Sequence, residues 1–262
     1  CKKRAAELHD EALFKDPPSR EECPICMLPL PLAADEQSFK SCCGKIICDG
    51  CIHAMAMEDV KKGKKKAEEV GICAFCRTPD AESVEECIKR FKKLMGKGNG
   101  HAFYTFAGCY AQGGLGMPQD WPKSNELLLK AGGLGCTEAY NKLGSSYYNG
   151  DGVEIDKKKA MHYFELAAIG GDVSARYNLG YVEEQAGNPQ RAFKHFILAA
   201  NVGDEGSLEM VTKGFRGGYV TKDDYERSLR AYHEIQTEMK SEERDKAADV
   251  AAYRRAAQRG DM

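Results

Sequence analysis

The chain has 262 residues, 42% hydrophobic and 30% charged, which is enough apolar material for a core and too polar for a membrane protein. No run approaches the roughly 18–20 uninterrupted apolar residues that a spanning helix needs. Thirty-eight Lys+Arg against 40 Asp+Glu give a formal charge of −2, so no global field draws the protein onto nucleic acid or anionic lipid. At roughly 100–200 residues per domain, the length fits two modules. The first residue is Cys1 rather than Met, so the chain reads as a fragment or processed product and carries no information about targeting.

Residues 2–15 place Ala5, Leu8, Ala12 and Leu13 near helical spacing before Asp16-Pro17-Pro18, predicting a short, solvated lead-in helix and linker over 1–19. Residues 20–80 hold eight of the 12 cysteines, and Pro24, Pro29, Pro31 and Pro79 break up any long helix. Most of these cysteines stand in C-x2-C pairs, which fits thiolate metal ligation in a reducing compartment, cytoplasmic or nuclear, better than a disulfide scaffold. From Ser83 to Met95, Val84, Ile88, Phe91 and Leu94 follow helical periodicity, and Gly96, Gly98 and Gly100 end it. Residues 83–100 are expected to cap the array that follows.

Beyond residue 100 the chain repeats itself. The best copy runs from Ala139 through Leu143-Gly144, Tyr147, Gly150 and Gly152-Val153 to Asp156, Ala160, Tyr163 and Ala167-Ala168. Measured at Phe106, Leu143, Leu179 and Val211, the spacings are 37, 36 and 32 residues. Two amphipathic stretches per period joined by a glycine-rich connection predict stacked helical hairpins over 101–220, as copies 101–136, 137–172, 173–204 and 205–220 running into the next helix. Residues 221–262 read as one long C-terminal capping helix, kinked near Ser241. The spacing resembles the Sel-one-like repeat, a relative of the tetratricopeptide repeat. That resemblance implies a surface for a protein or peptide ligand, with Tyr147, Tyr148, Tyr163 and Tyr177 either anchors on it or core residues.

The eight clustered cysteines fall as Cys23-x2-Cys26, Cys42-Cys43, Cys48-x2-Cys51 and Cys73-x2-Cys76. Zinc prefers four soft ligands in a tetrahedron, so eight ligands imply two Zn²⁺, which so small a segment needs in order to fold. Four thiolates around Zn²⁺ carry −2, and Lys45 with Lys61, Lys62, Lys64, Lys65 and Lys66 are the nearby countercharges. This lysine run has no interleaved aromatics and is weak evidence for nucleic acid. Cys87, Cys109 and Cys136 read as buried small residues, because no Cys/His arrangement marks them as nucleophiles.

The order of the pairs resembles a RING finger. That resemblance implies an α+β module in which Cys23, Cys26, Cys48 and Cys51 share one zinc while Cys42, Cys43, Cys73 and Cys76 share the other. It departs from the common RING in having Lys45 where a histidine ligand is usual, and in the long loop from Ile52 to Ile72; His53 is the fallback ligand. The run Cys23-Pro-Ile-Cys-Met-Leu-Pro-Leu, the Ser41-Cys-Cys-Gly-Lys segment and the Lys240-Ser-Glu-Glu-Arg-Asp-Lys246 tail resemble the RING plus Sel-one-like repeat proteins abundant in diatoms. The whole chain would then be a small zinc-stabilised α+β RING module followed by an all-α solenoid of helical hairpins. The resemblance implies a ubiquitin ligase that positions a charged ubiquitin-conjugating enzyme, with Ile25 and Pro79 as contacts to that enzyme and Arg77 as the linchpin, while the repeats recruit a substrate or adaptor. The alternative is a non-catalytic zinc-binding scaffold that mediates protein–protein interactions.

Overall fold

The computed structural model describes residues 2–63 and 71–259. In chain order the elements are α1 (Lys2–Leu13), β1 (Gln37–Lys40), β2 (Lys45–Cys48), α2 (Asp49–Lys61) and α3 (Val84–Met95). Then come α4 (Gly100–Gln112), α5 (Trp121–Gly133), α6 (Thr137–Asn149), α7 (Lys157–Ile169) and α8 (Val173–Gln185). The last four are α9 (Pro189–Ala200), α10 (Glu205–Arg216), α11 (Lys222–Met239) and α12 (Glu242–Arg259). They form two compact units, one of Cys1–Ser19 with Met95–Gln236 and the other of Arg20–Leu94 with Thr237–Met262.

The first unit is a succession of hairpins, α4/α5, α6/α7, α8/α9 and α10 with the first part of α11, each packed on the next. Aspartates start the helices: the side chains of Asp120, Asp156, Asp172 and Asp204 accept the main-chain N–H groups of Lys123, Lys159, Ala175 and Ser207 at 2.9, 3.0, 2.6 and 2.7 Å, satisfying donors that a helix N-terminus leaves open. The Leu-Gly pair of each good copy has a packing cause. A Cβ at Gly144 would lie 2.6 Å from the Phe164 ring and one at Gly180 2.5 Å from the Phe196 ring. Glycine therefore lets an aromatic ring of the second helix lie on the backbone of the first. Leu143, Leu179, Ala160, Ala167 and Ala175 complete a close-packed interior.

The described residues of the amino-terminal helix are exposed up to Ala12, Leu8 included, as a solvated lead-in would be, but the end of the helix is anchored. Leu13 at the end of α1 is fully buried in the cluster formed by Ala160, Phe164, Ala168, Ala175 and Leu179. Asp10, Leu13, Phe14 and Lys15 thus attach the segment to α7, α8 and α9.

The second unit is built on a short antiparallel hairpin with Gln37 opposite Cys48 and Lys40 opposite Lys45. Its tight turn carries Cys42 and Cys43 and closes at Gly44, whose φ of 71° favours glycine. α2 follows β2 directly. Two expectations are corrected here. The segment 83–100 was expected to cap the repeats, yet α3 up to Leu94 belongs to the cysteine unit. Phe91 stacks on Phe39 of β1 at 5.9 Å, and Arg90 donates to the Pro79 carbonyl at 2.8 Å. The long C-terminal helix is interrupted where a kink was expected, near Ser241, but the interruption makes two helices, and the second does not cap the repeats. Lys240 and Ser241 are non-helical, Ser241 caps a new helix by accepting the Arg244 N–H at 3.2 Å, and α12 packs on α2. Close approach is possible because position 50 is glycine, where a Cβ would lie 2.8 Å from the Arg244 backbone nitrogen.

Candidate metal centre

Two stretches of the cysteine unit fold identically. In the first, the Cys23 N–H donates to the Leu28 carbonyl, the Met27 N–H to Cys23 and the Leu30 N–H to Glu21, at 2.9, 2.9 and 2.8 Å. In the second, the Cys73 N–H donates to Thr78, the Arg77 N–H to Cys73 and the Asp80 N–H to Gly71, at 2.8, 3.0 and 2.6 Å. Glu22 bridges Pro29 in one and Ile72 bridges Pro79 in the other. Met27 and Arg77, one residue past each pair, occupy the left-handed region at φ 59° and 62°, a strained setting for long side chains. The turn hydrogen bonds bring the two sulfurs of each pair into the same tetrad.

The remaining pairs complete two tetrads. The Sγ atoms of Cys23, Cys26, Cys48 and Cys51 all lie within 4.8 Å of one another, as do those of Cys42, Cys43, Cys73 and Cys76. Cys23–Cys51 and Cys26–Cys48 are 3.8 Å apart, Cys43–Cys73 3.9 Å and Cys42–Cys76 3.4 Å. Sulfurs around a tetrahedral Zn²⁺ at about 2.3 Å stand about 3.8 Å from each other, so the donor sets suit such an ion. The thiol chemistry points the same way. Burial alone would raise Cys23, but the main-chain N–H groups of Cys26, Cys48 and Ile25 outweigh it and bring it to about 7. Burial likewise opposes ionisation of Cys76, and the Thr78 hydroxyl and N–H bring it to about 6. Cys51 and Cys42 are pushed up, first by burial and then by their cysteine neighbours. Each tetrad therefore mixes thiols that ionise readily with thiols held protonated first by burial and then by their cysteine neighbours, a conflict that a divalent cation would remove.

Among the described residues, two arginines stand close to the tetrads. The Arg244 guanidinium lies 3.7 Å from Cys26 Sγ, and although burial works against its charge, Cys48 and Cys26 hold it protonated. Arg90, bonded to Glu86 and also favoured by Cys42, stands near the second tetrad. Lys45 contributes to that tetrad through its backbone, which lowers Cys43 against the dominant effect of burial. Lys64, Lys65 and Lys66 lie outside the described residues.

Among the other predicted residues, Ile25 is 40% exposed at the tip of the first turn, available to a partner. The Arg77 side chain, 47% exposed, bonds the buried Asp59 carboxylate of α2 at 3.2 and 3.4 Å. Pro79 closes the second turn, and His53 joins neither tetrad. Cys87 and Cys109 are half-buried. Cys136 is buried but not isolated, since His101 Nδ1 lies 3.6 Å and Glu138 Oε2 3.3 Å from its sulfur; the expectation of no neighbouring histidine is corrected, because folding brings the starts of α4 and α6 together. Tyr163 stacks on Tyr140 and Tyr147 at 6.0 and 5.6 Å, all three half-buried, while Tyr177 remains partly exposed against Phe196. No helix among the described residues is long and apolar enough to cross a membrane.

Comparison with known proteins identifies the array. Residues 104–136, 137–172 and 173–204 each match the Sel1 repeat. The Schizosaccharomyces pombe protein called chitin synthase regulatory factor 4 is 28% identical over 123 residues, which are 47% of this chain and 19% of that protein. The crystal structure of a Sel1 repeat protein from Oxalobacter formigenes aligns with a TM-score of 0.51 and 20% identity over 74% of this chain and 73% of that one. That of a protective antigen of uropathogenic Escherichia coli with an SLR fold aligns with a TM-score of 0.51 and 24% identity, over 70% of this chain and 40% of the other. At these identities the two structures share the fold alone. The cysteine unit lies outside the residues that match the Sel1 repeat, which together run from 104 to 204.

Proposed function

We propose that this chain is a non-catalytic adaptor whose Sel1 repeats take a protein partner and whose two-zinc cysteine unit presents a second docking surface. The observation that carries the reading is the run of three contiguous Sel1 repeats, an architecture whose extended surface serves recognition rather than chemistry. The fission yeast relative is itself called a regulatory factor, in keeping with such a role. In this reading Cys23, Cys26, Cys48 and Cys51 hold one Zn²⁺ and Cys42, Cys43, Cys73 and Cys76 the other. Filled with four thiolates each, both sites are closed and serve folding.

A second reading, a RING-type ubiquitin ligase, is favoured by the exposure of Ile25, Met57 and Phe75 on the cysteine unit and by the interleaving of the two tetrads. The ion pair of Arg77 with Asp59 works against it, because a linchpin needs its guanidinium fork for the conjugating enzyme and ubiquitin. Ubiquitin discharge from a panel of charged conjugating enzymes separates the two. The adaptor gives the rate of the uncatalysed thioester, with about two Zn²⁺ bound per chain. Acceleration lost on Ile25→Ala would establish the ligase.

A further inference from the structure

Residues 137–172 and 173–204 superpose in register, Ala139 on Ala175 and Leu143-Gly144 on Leu179-Gly180. In that register Tyr140 corresponds to Arg176 and, on the second helix, Tyr163 to His195. In the earlier copy the two tyrosines, both half-buried, stack on each other at 6.0 Å. In the later copy the same two positions hold side chains that are 1% and 0% exposed and able to carry like charge. Such a pair is costly to bury unless something else satisfies it.

Residues 8–18 do so. Arg176 donates from one nitrogen to the Leu13 carbonyl at 2.8 Å and from another to the Lys15 carbonyl at 3.2 Å, groups left open at the end of α1. Phe14 lies on the His195 ring at 4.7 Å, with the Arg191 guanidinium and the Lys194 ammonium 5.0 and 5.2 Å from its centre. Asp10 takes Arg191 through both carboxylate oxygens at 3.0 and 2.9 Å, while Glu183 holds the same guanidinium from α8 at 2.8 Å. Pro18 then passes over Gly171, where a Cβ would lie 2.8 Å from its ring. Among the described residues, neither nitrogen of His195 has a hydrogen-bond partner, nor has Nε of Arg176, so the groove keeps unused polar capacity.

We infer that the groove of α7, α8 and α9 is the peptide-binding site of the array, that residues 8–18 occupy it in cis as a pseudoligand, and that its partner is a helical segment ending in Asp-x-x-Leu-Phe. The inference rests on the adaptor reading in taking the repeats as the recognition surface, and it names their ligand class. The main-chain carbonyls supply helix-end recognition, the Leu side chain fills the alanine-lined pocket, and the acidic residue three positions earlier pairs with Arg191. A tethered segment acts at roughly millimolar effective concentration, so a free peptide competes poorly until the cis segment is released.

The test uses the full chain and a fluorescent peptide of residues 4–18. Wild-type protein and a release variant, Leu13→Asp with Phe14→Ser, are titrated by anisotropy. The release variant should bind the peptide at least tenfold more tightly than wild type, and Arg176→Ala in the same background should abolish binding. A folded release variant that fails to bind overturns the inference. Hydrogen exchange of the unsubstituted chain provides a check independent of that variant's folding. Amides of residues 8–13 exchanging at least tenfold faster than those of α8 support an exchangeable occupant. Equal protection makes the segment a fixed part of the fold and overturns it. A wild-type dimer in sedimentation that dissociates on Leu13→Asp would assign the groove to a second copy instead. Ubiquitin discharge is scored separately, so a negative here leaves the adaptor reading to its own test.

Discussion

Arg244, from the last helix, reaches the sulfur of Cys26 in the first cysteine turn at 3.7 Å. With its interaction with Cys48, this contact gives the first tetrad a fixed cation and adds to the packing of α12 on α2. Removing it should loosen the metal without touching a ligand. Arg244→Gln is expected to speed zinc loss from one site by about 10–100-fold, the usual effect of disturbing an outer-shell partner. Competition with a chromogenic chelator should then show one fast and one slow zinc per chain where wild type shows two slow ones.

Gly50 makes that contact possible. Gly50→Val places a branched side chain where the backbone of Arg244 already lies and should cost about 1–3 kcal/mol by overpacking. The expected readout is faster exchange of α12 amides, with the repeats unchanged.

Chelation should separate the two units. Excess chelator is expected to release about two zinc ions and unfold the cysteine unit, which has little apolar core of its own. The one tryptophan, Trp121, sits on α5 in the other unit, so its fluorescence should hold steady while near-complete zinc loss is recorded. A parallel change in Trp121 emission would show that the units melt as one.

Within the repeats, Gly180→Ala drives a methyl group into the Phe196 ring and should cost about 1–3 kcal/mol. Phe196→Leu added to it should recover part of that loss, because the two changes share one contact. Urea midpoints of the two single variants and the double variant measure the coupling.

The groove holding Phe14 imposes a pH dependence. Burial chiefly, then Arg176 and Arg191, lower His195 to about 3 against the pull of Asp10. The unfolded chain takes up a proton near pH 6.5 while the folded chain does not, so the neutral ring's contribution is intact above that value and lost as pH falls toward 3. The loss is about 1.4 kcal/mol per pH unit across that window. Asp172, raised to about 6 chiefly by burial, works in the opposite direction, gaining relative stability as pH falls from 6 toward 3.8. Comparing His195→Gln with wild type at pH 7.5 and 5.5 isolates the histidine, and the wild type should lose more.

The repeats were legible because the two best copies state their own reasons locally, with the pairs Leu143-Gly144 and Leu179-Gly180, a capping Asp before a helix and glycine in the connection. The pairing of cysteines within C-x2-C turns is equally local. What the sequence does not display is which surface each amphipathic stripe meets. The stripe of Val84, Phe91 and Leu94 looks the same whether it caps a solenoid or covers a zinc unit, and the ring of Phe39 that receives Phe91 lies far away in the chain. Arg244 and Arg90 approach the thiols in space although they lie outside the cysteine run of the sequence. One signal was available: the replacement of Tyr140 and Tyr163 by Arg176 and His195 one repeat later breaks the pattern at two interior positions at once, and interior polar substitutions mark where another segment enters.

Each unit is made of two separate lengths of chain, and each is completed by a terminal segment that reaches it only across the other unit's sequence. During synthesis the cysteine turns emerge before the repeats, yet α12 with Arg244 emerges only after them. The cysteine unit thus passes through a stage in which its thiols are present and the Arg244 cation is still to be made. A cut between Leu94 and Met95 would strip the repeats of Leu13 and the first tetrad of Arg244 in one stroke, so neither half is a faithful substitute for the part it contains.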